Sequence, residues 1–243
     1  MARIRCLVGA RLLHAGAILL IVLITTTLSN ASPRDELVAR GLQFNAAAFV
    51  ERAGAGDLEA VKLFVAAGIN PNAPKSTLAP AGTSAMFEAS LKGHSDVVTF
   101  LLNHGADIDS GGVVRSTALM GASLGGYRQL VKYLLDNGAA INKKNYQDQS
   151  ALHLAAVGGS SEIVQLLATK GADVNAKGAY GQTPLIYAAS VGSADTVRVL
   201  LEHRAEVNAR DYNMGLSALD RTKDPEIVRM LRAAGGKKAS ELR

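Results

Sequence analysis

The chain is expected to be all-α: a solenoid of about six helix-turn-helix units joined by β-turn fingers. Three observations carry that expectation. Gly93, Gly126 and Gly159 recur every 33 residues, and Gly192 extends the series. Gly105, Gly138 and Gly171 form a second series at the same spacing, broken at Arg204. Four segments align in this register: SAMFEASLKGHSDVVTFLLNHGADID from Ser84, TALMGASLGGYRQLVKYLLDNGAAIN from Thr117, SALHLAAVGGSSEIVQLLATKGADVN from Ser150 and TPLIYAASVGSADTVRVLLEHRAEVN from Thr183. Self-similarity at a fixed period of this size marks stacked repeats.

Each element of a unit has a local cause. Ser84, Thr117, Ser150 and Thr183 open their units as N-caps, with Pro184 at the favoured first helical position. The first helix carries a small residue at Ala89, Ala122, Ala155 and Ala188, which lets neighbouring units approach. A corner glycine follows, then a second helix with apolar residues at helical spacing, such as Ile163, Val164, Leu166 and Leu167. A further glycine ends that helix, because the residue past a helix C-terminus favours the left-handed conformation. Arg204 holds that slot in one unit and is expected to be strained by about 1 kcal/mol. A shortened unit from Phe49 precedes the four, and another from Ser217, its first helix cut short near Asp224-Pro225, follows them. The stretch INPNAPKSTLAPAGTS predicts a longer first finger, and GGKKASELR a frayed tail. No unit can bury its apolar stripes alone, so stacking must supply one continuous core.

The segments SALHLAA, TPLIYAA and GADVN and the Gly93-His94 corner resemble the ankyrin repeat over about residues 44–235. The resemblance implies binding of other proteins through finger tips and the concave face of the first helices. The expected organisation is a signal peptide at 1–31, a linker at 32–43, the repeat domain at 44–236 and a tail at 237–243.

The N-terminal 31 residues read as a targeting segment. Arg3, Arg5 and Arg11 precede an apolar run from Ala15 to Ile24, and Ser29-Asn30-Ala31 offers small residues for cleavage after Ala31. Ten apolar residues fall short of the roughly 20 that span a bilayer. Cleavage would place the protein in the periplasm or outside a bacterial cell; an uncleaved segment would tether it to the membrane. Cys6, the single cysteine, would leave with the peptide, so the remainder can form no disulfide. Of the 26 basic residues, the three in the leader leave with it, and 23 then face 21 acids. That near-balance argues against a nucleic-acid partner, which calls for a strong basic stripe.

Catalysis and metal binding find little support. Ser150, His153 and Glu162 suggest a nucleophilic triad. Yet the slot of His153 holds Phe87, Met120 and Ile186 in other units, and the slot of Ser150 always holds a cap-forming residue whose hydroxyl should serve the backbone. His104 and His203 share a slot three units apart, and no histidine pair has zinc-ligand spacing. GASLGGY at 121–127 lacks the strand and Lys-Ser/Thr of a phosphate loop. No catalytic residue, cofactor or metal is therefore expected.

The surface remains as the working part. The fingers read SGGVVR, KKNYQD, AKGAYGQ and ARDYNMG, with Tyr146, Tyr180 and Tyr212 beside Lys143, Lys144, Lys177 and Arg210. Tyrosine and arginine are favoured interface anchors. With Leu124, Val157, Tyr187 and Val191 on the first-helix face, they form the expected binding surface for another protein. The chain is expected to be a monomer that inhibits, shields or scaffolds its partner, or a secreted effector acting on a host protein.

Overall fold

A computed structural model describes residues 31–76 and 82–242. The leader before Ala31 and the tip of the first finger at 77–81 lie outside the described residues.

Five helix pairs stack in chain order: α2 (Ala46–Gly54) with α3 (Leu58–Ala66), α4 (Ala85–Lys92) with α5 (Ser95–Asn103), α6 (Ala118–Gly125) with α7 (Arg128–Asp136), α8 (Ala151–Val157) with α9 (Ser161–Thr169), and α10 (Pro184–Val191) with α11 (Ala194–Glu202). In the sixth unit a single 3-10 turn, Ala218–Asp220, stands in for the first helix before α12 (Pro225–Ala233). The unit around Phe49, short in the alignment, has both helices.

The expected caps are present at most unit starts. Ser84 Oγ accepts from the Phe87 amide at 3.2 Å, and the Thr117 and Thr183 hydroxyls accept from Met120 and Ile186, each at 3.4 Å. First helices pack tightly on first helices. A Cβ on Gly121 would lie 2.8 Å from the Phe87 carbonyl oxygen, so only glycine lets α6 approach α4 so closely. Ala89, Ala122, Ala155 and Ala188 are fully buried along this inner row. The second helices form an outer row with looser mutual contact. Their apolar stripes, such as Ile163, Val164 and Leu167, complete one core that runs from Leu37 to Leu231.

Gly68, Gly105, Gly138, Gly171 and Gly235 end the second helices in the left-handed region, and Arg204 takes the same slot at φ +63°. Beyond these exits a side-chain ladder joins the units. The Oδ1 atoms of Asn72, Asp109, Asn142, Asn175 and Asn208 accept the amides of Asp107, Ala140, Asp173, Glu206 and Lys237 at 2.8–3.0 Å.

Both ends depart from expectation. Within the stretch assigned as a linker, Pro33–Ala39 forms a helix, α1, capped by Ser32 and Asp35. Its Leu37 is fully buried, and the Arg34 guanidinium lies 4.2 Å from the Phe44 ring centroid. Helix α1 covers an end of the core that would otherwise face water. The tail is docked instead of frayed. Ser217 Oγ donates to the Lys237 carbonyl at 2.7 Å, Asp220 accepts the Ala239 amide at 2.8 Å, and Arg232 grips Glu241 through two bonds of 2.6 and 2.7 Å. No helix among the described residues is long and apolar enough to cross a membrane.

Candidate functional site

The fingers at 143–148, 176–182 and 209–215 are turns closed by the residue at their third position. The Asn145 amide donates to the Gln149 carbonyl at 3.0 Å, while its Oδ1 accepts from the Gln147 and Gln149 amides at 2.9 and 3.0 Å. Gly178 occupies that slot in the next finger and donates to Gln182 at 2.9 Å; Asp211 occupies it after that and donates to Leu216 at 3.0 Å. Neighbouring tips are then sewn together. Val113 donates to the Gly82 carbonyl at 2.7 Å, Tyr146 to Val114 at 3.2 Å, Ala179 to Gln147 at 2.7 Å and Tyr212 to Tyr180 at 2.5 Å. The fingers therefore form one continuous row in place of separate flexible turns.

The three tyrosines stand out from that row: Tyr146 is 55% exposed, Tyr180 68% and Tyr212 69%. Tyr180 is held at φ +62°, the left-handed region that a residue with a side chain adopts only under constraint. The Gly181 that follows it packs under the Tyr212 ring. The Lys177 ammonium lies 5.3 Å from the centre of that ring, and Lys144 Nζ donates to the Lys177 carbonyl at 2.9 Å. Lys143 is half-buried and Arg210 exposed. Two apolar residues of the row, Val113 and Met214, were not singled out from sequence, yet both are exposed beside the tyrosines. Their only advance signal was their place in the finger register.

The first-helix residues are less uniform. Val191 is exposed and Val157 half-buried, whereas Leu124 and Tyr187 pack against the core. The Tyr187 hydroxyl accepts from Gln149 Nε2 at 3.0 Å, and its ring meets the His153 ring edge-on at 5.9 Å. Part of Tyr187 is thus committed to holding one unit on the next.

A family model described as ankyrin repeats (3 copies) matches residues 44–145 and again residues 119–211. The chain belongs to the ankyrin-repeat family. No curated protein matches it. Ankyrin repeats are a protein–protein interaction module, and the family is typically non-catalytic.

Within this ankyrin array the Ser150–His153 pair is a buried tie. The Ser150 amide donates to His153 Nδ1 at 3.1 Å, so that nitrogen carries no proton. The Ser150 hydroxyl then also donates to Nδ1, at 2.9 Å, and Nε2–H donates to the Gln182 carbonyl at 3.2 Å. The hydroxyl proton thus goes to the imidazole, while the hydroxyl oxygen still faces the His153 backbone amide in the capping box expected at a unit start. His153 is fully buried, and burial pushes its pKa down to about 4. Glu162 is far from this arrangement in role: it is exposed and faces Arg128 across the outer row at 3.7 Å. Among the described residues no three His, Cys, Asp or Glu side chains are placed to hold a metal ion.

Proposed function

We propose that this ankyrin protein is exported and acts without chemistry, by capturing a protein partner on its finger row and the adjoining first-helix face. The observation that carries this reading is the row itself, in which Tyr146, Tyr180 and Tyr212 are exposed on tips fixed by backbone hydrogen bonds. Aromatic rings held in place lose little conformational entropy on binding, which is what makes tyrosine a strong anchor. Lys143, Lys144, Lys177 and Arg210 supply a charged surround, and Leu124, Val157, Tyr187 and Val191 a flatter apolar flank.

Export rests on the leader and on the helix cap at Ser32. Cleavage after Ala31 would leave Ser32 as the first residue, its nitrogen already 3.0 Å from Asp35 Oδ2. The new ammonium would strengthen that bond, so the mature chain would begin on a formed helix cap. N-terminal sequencing of the protein from its native compartment should return Ser32. An intact leader would instead favour a membrane-tethered scaffold.

The binding surface is tested by cross-linked capture from the same compartment. Replacing Tyr146, Tyr180 and Tyr212 with alanine should reduce recovery of the partner at least a hundredfold, on the scale of two or more hot-spot residues. The melting temperature should hold. Undiminished recovery would remove the finger row from the binding site.

A further inference from the structure

The charged residues of the finger row have a pattern that the tyrosines do not explain. Lys144, Lys177 and Arg210 occupy the same slot in three successive fingers, 33 residues apart. Among the described residues, none of the three has a carboxylate within ion-pair distance, and neither has Lys143. The outer row of helices behaves differently. There Arg128 meets Glu162, Lys132 and Lys170 share Asp136, and Arg198 bridges Asp195 and Glu226. Within the fingers at 143–148, 176–182 and 209–215 there are two acids. Asp148 is exposed, whereas Asp211 is buried against Arg221 and so offers the surface no charge.

The unpaired cations also lean in one direction. Lys144 reaches the backbone of the next finger, and Lys177 reaches the ring of the finger after it. Arg210 ends the series with an exposed side chain. Stacked helices lie about 10 Å apart, so the three charges mark a line of roughly 20 Å along the solenoid. An extended polypeptide in the polyproline II conformation advances about 3.1 Å per residue with about three residues per turn. Every third side chain of such a segment returns to the same face about 9 Å further on, and so meets one cation.

We propose that the finger row takes an acidic, extended segment of a protein partner, with carboxylates at about every third residue set against Lys144, Lys177 and Arg210 and the intervening side chains on the tyrosine rings. The proposal rests on the binding function above and specifies its chemistry. A duplex nucleic acid is a poorer fit, since it carries one charge per roughly 1.7 Å of axis against this row's one per unit.

The test uses the full-length protein and a fluorescein-labelled peptide of about ten residues with glutamate at every third position, read by anisotropy. Binding should weaken as salt rises from roughly 50 to 500 mM, because exposed pairs are screened. The glutamine counterpart should bind at least tenfold more weakly. Lys144→Ala, Lys177→Ala and Arg210→Ala together should reduce affinity roughly thirtyfold, about threefold for each exposed pair. Because Lys144 also holds a backbone carbonyl, the double variant Lys177→Ala with Arg210→Ala provides a second reading, expected at about tenfold. Lys132→Ala with Lys170→Ala, on the outer row, should change nothing.

Equal binding of the glutamine peptide, an equal loss from the outer-row variant, or tighter binding of a single-stranded oligonucleotide of matched charge would each overturn the proposal. Tyrosine-dependent capture of the native partner would survive any of those results, so failure of the acidic-segment proposal is distinct from failure of the binding function.

Discussion

The outer helices and the fingers belong to the same six units, yet they treat charge and strain in opposite ways. On the outer row, most cations are met by carboxylates of their own or a neighbouring helix, as Lys132 and Asp136 are at 2.6 Å. Along the fingers Lys143, Lys144, Lys177 and Arg210 have no such partner among the described residues, and three tyrosines face water. Strain divides the same way: of the four left-handed non-glycine residues among those described, Arg115, Asp148 and Tyr180 are in fingers. A surface that completes its own interactions is stable alone. One that leaves cations unpaired and rings exposed, on a rigid backbone, is prepared for contact with something else.

The comparison is broken most severely at Asp211, a finger carboxylate that does have an internal cation, Arg221. Burial by itself would raise its pKa, but hydrogen bonds from Arg221 and from the Met214 and Leu216 amides outweigh burial and lower it. Asp211→Asn keeps the backbone bonds and deletes the charge opposite Arg221. Removing one member of a buried pair costs about 3 kcal/mol. Urea unfolding should show that loss at neutral pH, with hydrogen exchange rising first around Tyr212. Because the folded carboxyl is more acidic than the unfolded one, its contribution is complete above the unfolded pKa and fades as pH falls through the folded value. The gap between wild type and variant should therefore close in strong acid. A change confined to the outer helices would place the pair's role elsewhere.

A smaller effect should come from His153, which ties the exit of the 176–182 finger at Gln182 to the helix beneath. Its folded pKa of about 4 lies below the ordinary 6.5, so the unfolded chain binds the proton more readily. Stability from this group is present above pH 6.5 and declines as pH falls towards 4. By pH 5 the loss should be about 2 kcal/mol. His153→Met, using the residue that Met120 supplies in the equivalent slot, should abolish that decline while giving up the bond to Gln182. Thermal melts at pH 7 and pH 5 decide it. Equal acid sensitivity in both proteins would assign the effect to another group.

How far these features could be read from sequence depends on how local their causes are. The 33-residue glycine series, the Ser/Thr starts and the buried alanines each report one slot repeated many times, so the helix pairs followed directly. The Ser150 slot predicts a cap, and the capping box is there; what the slot does not reveal is where the hydroxyl proton goes. Where Phe87, Met120 or Ile186 stands three residues on, that side chain offers no acceptor, but His153 offers Nδ1. The ends were illegible for a different reason. Helix α1 has one fully buried residue, Leu37, too little to show a period. The docked tail depends on Asn208, Ser217 and Asp220, which lie 19 to 29 residues from the groups they hold. Exposure of Tyr146, Tyr180 and Tyr212 was inferable from the finger register. The bond between Gln149 and Tyr187, spanning 38 residues, was not, and it is why Tyr187 is only partly a surface residue.

The smallest expected effect gives the finest contrast. Arg204, at φ +63° on the exit of α11, and Tyr180, at φ +62° on a finger tip, hold almost the same unfavourable backbone conformation. Glycine at either site should relieve about 1 kcal/mol of strain. In a chain of this size that raises the melting temperature by about 2–4 °C. Arg204 lies on the side of the molecule that satisfies itself, in a slot that glycine fills in the other units, so Arg204→Gly should gain stability and leave partner capture unchanged. Tyr180→Gly should gain similar stability and lose capture, because there the strain holds an exposed ring in place. If Arg204→Gly leaves the melting temperature unchanged or lowers it, the slot does not carry strain. If Tyr180→Gly stabilises without loss of capture, the left-handed tyrosine has no part in binding, and the difference between the two faces would rest on charge alone.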